Sequence, residues 1–334
     1  MSGKAAPRTS FLIPVRDAES TLAAALEDVL AQTAGDFNVV VVDDGSTDGS
    51  ASIAARYPVT LLRGPARGIA HALNTGLAAC RGEFVARMDA DDRCAPERLA
   101  RQLALFRADP TLVVVDAQVE IFRDDGPIGQ GMALYAAWMN AVLTPEDFDR
   151  ELLIESPIAH PAATFRRDAV LAIGGYRGGP FPEDYDLWAR LHASGARFRK
   201  VPEVLVRWRD GASRLTRTDP RYGRVGLRTV RQLWLKARVL DRPRRVVVVG
   251  AGKEGGPWLT WLVGEGHDVV AVDVHPGRVE RAGVRVLPPD ALADLDVEVG
   301  LVAVGARGAR DAIRSEIGRV RPAWVEGRDW WAVR

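Results

Sequence analysis

The feature that most constrains this chain is a regular alternation over its first 122 residues. "SFLIPV" (10–15), "FNVVVVDD" (37–44), "VTLLRG" (59–64), "GEFVARMD" (82–89) and "TLVVVDAQVEIF" (111–122) are apolar runs of strand length. Between them, apolar residues recur at helical spacing, as with Leu22, Leu26, Val29 and Leu30, or Ile69, Leu73 and Leu77. Continuous apolar strands separated by amphipathic helices predict an α/β fold with a mostly parallel sheet covered on both faces. Ligands of such sheets bind beyond the carboxyl ends of the strands. Arg16, Asp43, Asp44, Asp89 and Asp91 all fall at those ends, so residues far apart in sequence are expected to share one crevice.

The chain has 334 residues, enough for two domains. Its net charge of +1 gives no strong attraction to nucleic acid. Cys80 and Cys94 are the only cysteines, too few for a disulfide framework or a cysteine metal site. The opening "MSGKAAPRTS" has no apolar signal core, and no run approaches the ~20 apolar residues of a membrane span. The expectation is a cytoplasmic protein, or one held peripherally at the inner membrane face.

Residues 125–215 are less regular and rich in glycine, proline and aromatics, the composition of long functional loops. "VGLRTVRQLWLKARVL" reads as a helix and "DRPRR" (241–245) as a linker, after which the strand–helix alternation restarts. The expected division is 9–215, a connecting helix and linker over 216–243, and a second domain over 244–334.

"FVARMDADDRCAPERL" (84–99) sets three carboxylates within four residues at the end of an apolar run. Like charges this close repel, and ionised carboxylates avoid apolar surroundings. A hard divalent cation shared with phosphate oxygens makes such a cluster favourable, and Asp89-x-Asp91 at a strand end offers that site. Asp92 is accounted for more simply, as an acid in the first turn of the helix that "APERL" opens.

"PVRDAESTLAAALEDVLAQT", "VVVVDDGSTDGS", "RGIAHALNTGLAACRGEFVARMDADD" and "FPEDYDLWARL" occur in this order. Together, over about residues 9–215, they closely resemble the family-2 glycosyltransferases, which have the nucleotide-sugar-binding GT-A fold. The resemblance implies an inverting enzyme that moves a sugar from a nucleotide-diphosphate donor, with UDP-sugar the expected one, to a hydroxyl of a glycan or small molecule. It implies that Pro14, Val15 and Arg16 lie against the base and that Asp44 hydrogen-bonds it. Arg67, Gly68 and Asn74 would approach the nucleotide. Asp89 would contact the ribose or sugar and share with Asp91 the binding of Mn2+ or Mg2+. Asp184 would be the general base, presented from the first turn of a helix after the glycine-rich "IGGYRGGPF". His160 reads equally as a structural histidine or an acceptor contact. Many relatives complete the metal site with a histidine where this chain has "VRWRDGASRLTR". Asp210 as a ligand, Asp91 with diphosphate and water alone, and Arg207 or Arg209 on the diphosphate are the alternatives.

In the second domain, "VVVVGAGKEG" places Gly250, Gly252 and Gly255 directly after a strand, and Asp273 ends the next one. This is a dinucleotide fingerprint: glycines let a phosphate approach a helix start, and the acid meets a ribose. The stretch resembles a small Rossmann-like domain with an NAD-like ligand. At about ninety residues it reads equally as a remnant used for packing or for a homodimer. Trp324, Trp330 and Trp331 read as core or interface anchors. Two further functions compete with sugar transfer: an NAD-dependent oxidoreductase, and a non-catalytic nucleotide-sugar-binding protein.

Overall fold

A computed structural model describes residues 8–211, 214–275, 279–306 and 308–334. Contacts group the chain into two compact units: residues up to Phe148 with Ser156–Val230, and Asp149–Glu155 with Arg231–Arg334. This grouping departs from the expected boundaries at 215 and 243. Residues 216–230 join the first unit, and 149–155 and 231–243 join the second.

The first unit holds an eight-stranded sheet. Its strands are β1 (Thr9–Val15), β2 (Phe37–Asp43), β3 (Thr60–Arg63), β4 (Phe84–Arg87), β5 (Arg93–Cys94), β6 (Leu112–Phe122), β7 (Thr164–Arg166) and β8 (Arg197–Arg209), in the order β3-β2-β1-β4-β7-β6-β8-β5. The β3-β2-β1-β4 half is parallel. Beyond it, β7 runs antiparallel to both β4 and β6, and β8 returns parallel to β6. Phe11, Leu12, Ile13 and Val39 to Val42 are buried on both faces of the sheet, which is why these strands are uninterrupted apolar runs. The chain leaves β1 toward β2 on one side, while β4 lies on the other. The carboxyl ends of β1, β2 and β4 therefore frame a crevice at a change of direction.

Strand β8 lies in the stretch that reads as irregular from sequence. Its exposed Arg197 and Arg199 alternate with buried Phe198 and Lys200, and Pro202 interrupts it. The register against β6 jumps from Ala117↔Val201 to Gln118↔Val204, so Pro202 and Glu203 sit in a bulge where no ladder donor is required. Beneath the sheet, Lys200 Nζ lies 3.1 Å from Asp116, both fully buried, and donates to the carbonyls of Met139 and Pro157. Lys200→Met would leave a buried carboxylate without its cation. The expected cost is about 3–5 kcal/mol of stability, read as a lower midpoint in urea denaturation.

In the second unit, β9 (Arg245–Val249), β10 (Asp268–Val272), β11 (Glu280–Arg281), β12 (Val284–Leu287), β13 (Val299–Val302) and β14 (Trp330–Ala332) form a sheet in the order β11-β12-β10-β9-β13-β14. All neighbours are parallel except the β11–β12 pair. From β12 to β14 this is the order of an open doubly wound sheet. Trp330 and Trp331 are buried within this unit, as core anchors.

Candidate active site

The three acids lie on a turn strung between two strands. β4 ends at Arg87, so Asp89 stands two residues past the strand rather than in it. β5 then pairs with β8, Arg93 opposite Arg207. The side-chain oxygens of Asp89, Asp91 and Asp92 come within 4.8 Å of one another. The helix of this segment begins only at Arg98, which corrects the reading of Asp92 as a first-turn acid. Asp92 is instead buried in the cluster, where its Oδ1 accepts the Arg209 N–H at 2.7 Å. Asp89 is ion-paired with Arg87, whose side chain is 1% exposed. Burial, and then the charge of Asp89, pushes the Asp91 carboxyl up to about 6. Burial and the two neighbouring acids push Asp92 well above the carboxylate range. Three carboxyl groups this close, two of them raised by burial and by their acidic neighbours, fit a hard divalent cation, which would supply opposing positive charge.

Asp44 stands at the end of β2, buried, its backbone N–H on the Val15 carbonyl at 2.9 Å. Its Oδ2 accepts Gly68 N–H at 2.7 Å and its Oδ1 accepts Arg67 N–H at 3.2 Å. Gly68 has φ +90°, and a Cβ on Gly64 would stand 2.7 Å from Asp44 Oδ1. Pro14 and Val15 close β1, and Arg16 follows exposed. The loops after β1 and β2 are knitted together: Thr47 N–H donates to Asp17 at 2.7 Å and Gly49 N–H to Glu19 at 2.8 Å. Pro14, Val15, Arg16, Asp44, Arg67 and Gly68 thus gather along one edge of the crevice.

Asn74 is placed otherwise. Its carboxamide holds the backbone of Tyr176 through two hydrogen bonds. His160 is buried, and its Nε2 bonds the Tyr176 hydroxyl at 2.9 Å. Burial, assisted by the Arg87 charge, lowers its pKa well below the usual histidine value, so the ring is neutral. Asp210 is engaged by Arg217 at 2.6 Å, Arg214 at 3.6 Å and Arg123 at 3.8 Å. Its carboxylate is thereby matched by arginines and lies outside the Asp89–Asp91–Asp92 group. Arg209 donates from Nε to the Asp91 carbonyl at 2.7 Å.

Asp184 opens the helix Glu183–Ala193, its Oδ1 accepting Tyr185 N–H at 2.7 Å. It is half-buried, and burial followed by the charge of Glu183 pushes its carboxyl up to about 7. Glu183 is fully buried and accepts the Tyr222 hydroxyl at 2.7 Å. The Arg87 charge draws down Asp91, Asp92, Glu183 and Asp184 alike. Sequence reasoning gave Arg87 no role beyond its place next to the acids, although an arginine inside the buried run "FVARM" was a signal for one.

In the second unit, Gly250 has φ +97°, and a Cβ on Gly255 would fall 1.8 Å from the Gly250 carbonyl oxygen. These glycines therefore close the loop on itself. Gly252 lies half-buried within it. Asp273, expected on a ribose, accepts Ala251 N–H at 2.6 Å and His275 N–H at 2.9 Å.

The model of the family described as glycosyl transferase family 2 matches residues 10–174. The amylovoran biosynthesis glycosyltransferase AmsE of Erwinia amylovora is 31% identical over 193 residues, covering 56% of this chain and 70% of that protein. The UDP-Gal:alpha-D-GlcNAc-diphosphoundecaprenol beta-1,3-galactosyltransferase of Escherichia coli is 27% identical, over 60% of this chain and 73% of that protein. The crystal structure of S. aureus TarS 1–349 with UDP-GlcNAc superposes with a TM-score of 0.57 at 18% identity, over 70% of this chain and 68% of that one. The shared architecture is the GT-A fold. The family match runs through Arg16, Asp44, Asp89 and Asp91, and the chain belongs to glycosyltransferase family 2, with glycosyl transfer as its activity.

Proposed function

We propose that this chain moves a sugar from a UDP-sugar to an acceptor hydroxyl by a single inverting displacement, with Asp184 as the general base. What supports this reading is the placement of Asp184 in the first turn of the helix Glu183–Ala193, half-buried and beside Glu183; burial and that neighbour raise its carboxyl to about 7, near the pKa that suits a base at neutral pH. It takes the proton of the acceptor hydroxyl on the face opposite the leaving diphosphate. The leaving group needs charge stabilisation rather than a protonating acid. A Mn2+ or Mg2+ held by Asp89, Asp91 and Asp92 would supply that charge. Asp44 and the amides around it present the edge of the crevice to the base, and Pro14 to Arg16 lie beside it. The UDP donor and a sugar-bearing acceptor are supported by the name of the E. coli relative. A lipid-linked acceptor like the one in the E. coli name would set the reaction at a membrane face; among the described residues no helix is long and apolar enough to cross a membrane.

The family match and the relatives support sugar transfer rather than the oxidoreductase reading and give the NAD-like ligand no support, and the two backbone amides on Asp273 give that carboxylate a role in holding its own loop. Of the terminal tryptophans, Trp330 and Trp331 are buried and Trp324 is half-buried, which supports their role as core anchors.

The test is a pH–rate profile. Asp184 works only as the carboxylate. Turnover of UDP-Gal or UDP-GlcNAc, read as UDP release with Mn2+, is expected to rise about tenfold per pH unit below about 7 and to level off above it. A profile flat from pH 5 to 8 would remove a base of this pKa from the reaction.

A further inference from the structure

Asn74 lies on the helix Ile69–Ala79, which starts directly after the Arg67 and Gly68 amides that hold Asp44. Its Oδ1 accepts Tyr176 N–H at 2.9 Å and its Nδ2 donates to the Tyr176 carbonyl at 2.8 Å, two bonds between residues 102 apart in sequence. The segment it grips is a glycine turn: Gly174 has φ +85° and Gly175 φ +69°. A Cβ on Gly175 would stand 2.5 Å from Asn74 Oδ1, so side chain and turn are fitted to one another.

Arg190 grips the same turn from another side. Its Nη1 donates to Ile173 O at 2.9 Å, its Nη2 to Gly175 O at 2.6 Å and its Nε to Asp186 at 2.8 Å. Arg190 and Asp186 belong to the helix that opens with Glu183 and Asp184. One short turn is therefore held at once by the helix behind the nucleotide edge and by the helix that carries the base.

We propose that Asn74 is a positioning residue for the transfer step. Through Tyr176 and Arg190 it sets the helix bearing Asp184 in register with the helix that backs the donor site. The inference rests on Asp184 being the base. A misplacement of the base by about 1 Å is enough to lower a rate on the order of 10²-fold.

The test uses the full chain and two variants. Asn74→Ala loses both bonds. Asn74→Asp keeps the acceptor for Tyr176 N–H and sets a carboxylate oxygen against the Tyr176 carbonyl. UDP affinity with Mn2+ is measured by calorimetry, kcat and KM for UDP-Gal and UDP-GlcNAc by UDP release, and amide exchange by mass spectrometry. The expected result is UDP affinity within about twofold of the parent protein, kcat lower by about 10–100-fold, and exchange at Tyr176 and across Glu183–Asp186 faster by about tenfold or more. UDP affinity falling by the same factor as turnover would make Asn74 a donor contact and overturn the proposal. So would unchanged exchange at Glu183–Asp186 in both variants. An equal loss of melting temperature, UDP affinity and kcat would mark a general structural role and overturn it as well. Asp184→Asn is run in parallel: its retention of full turnover would remove the base assignment, whereas the exchange result tests the link between the two helices by itself.

Discussion

Replacing Asp184 by Asn is expected to lower sugar transfer by about 10²–10⁴-fold while leaving UDP binding close to that of the parent protein. Asparagine has nearly the volume of aspartate and can still accept the Tyr185 N–H that Asp184 Oδ1 accepts at 2.7 Å, so the helix start is preserved. What is lost is the proton acceptor. The adjacent Glu183 is not a substitute, because it is buried and its Oε2 accepts the Tyr222 hydroxyl. UDP release in the presence of an acceptor glycan, together with calorimetric UDP affinity, separates chemistry from binding. Near-normal turnover of a folded variant would take Asp184 out of the mechanism.

Asp91→Asn is expected to weaken UDP binding only when the cation is present. Of the three clustered acids, Asp92 is buried and bonded to the Arg209 amide, and Asp89 is paired with Arg87. Asp91 is half-buried, and the Arg209 guanidinium is anchored on its backbone carbonyl, which the substitution keeps. The change therefore removes a carboxylate without removing the anchor. The gain in UDP affinity on adding Mn2+ is expected to shrink by at least the ~10–100-fold that loss of a supporting group around a metal typically costs. Titration of UDP with and without Mn2+ measures it. A variant with the full Mn2+ enhancement would show that Asp89 and Asp92 suffice.

The parallel half of the first sheet was legible because strands buried on both faces carry an unmixed apolar signal, as in "FLIPV" and "VVVVD". The acids at their ends were legible for the same reason: each breaks such a signal at its carboxyl end. Strand β8 was not, because arginines on its exposed face and a proline in its bulge imitate a loop. Asp92 was misread because an acid shortly before "APERL" matches a helix start, whereas two residues of strand and three more intervene before the helix at Arg98. Asn74 was expected near the nucleotide from the family resemblance. Its partner, Tyr176, is 102 residues away, and no local pattern can announce a contact of that range. In the second unit the glycine spacing matched a phosphate loop. The engagement of Asp273 by Ala251 and His275 depends on where two strand ends meet, which spacing does not encode.

The way Asp44 is held differs in kind from the way Asp89 is held. Asp44 receives two main-chain N–H groups, and every residue except proline owns one. Arg67 can therefore be exchanged for residues of any charge or size without releasing that carboxylate. The narrow positions are small ones, Gly64 beneath Asp44 and Gly68 with its positive φ. Asp89 depends instead on one guanidinium, that of Arg87, which a single codon change can remove. Inherited variation in the side chain of Arg67 therefore leaves the hold on Asp44 intact, while the arginine paired with Asp89 has no such latitude.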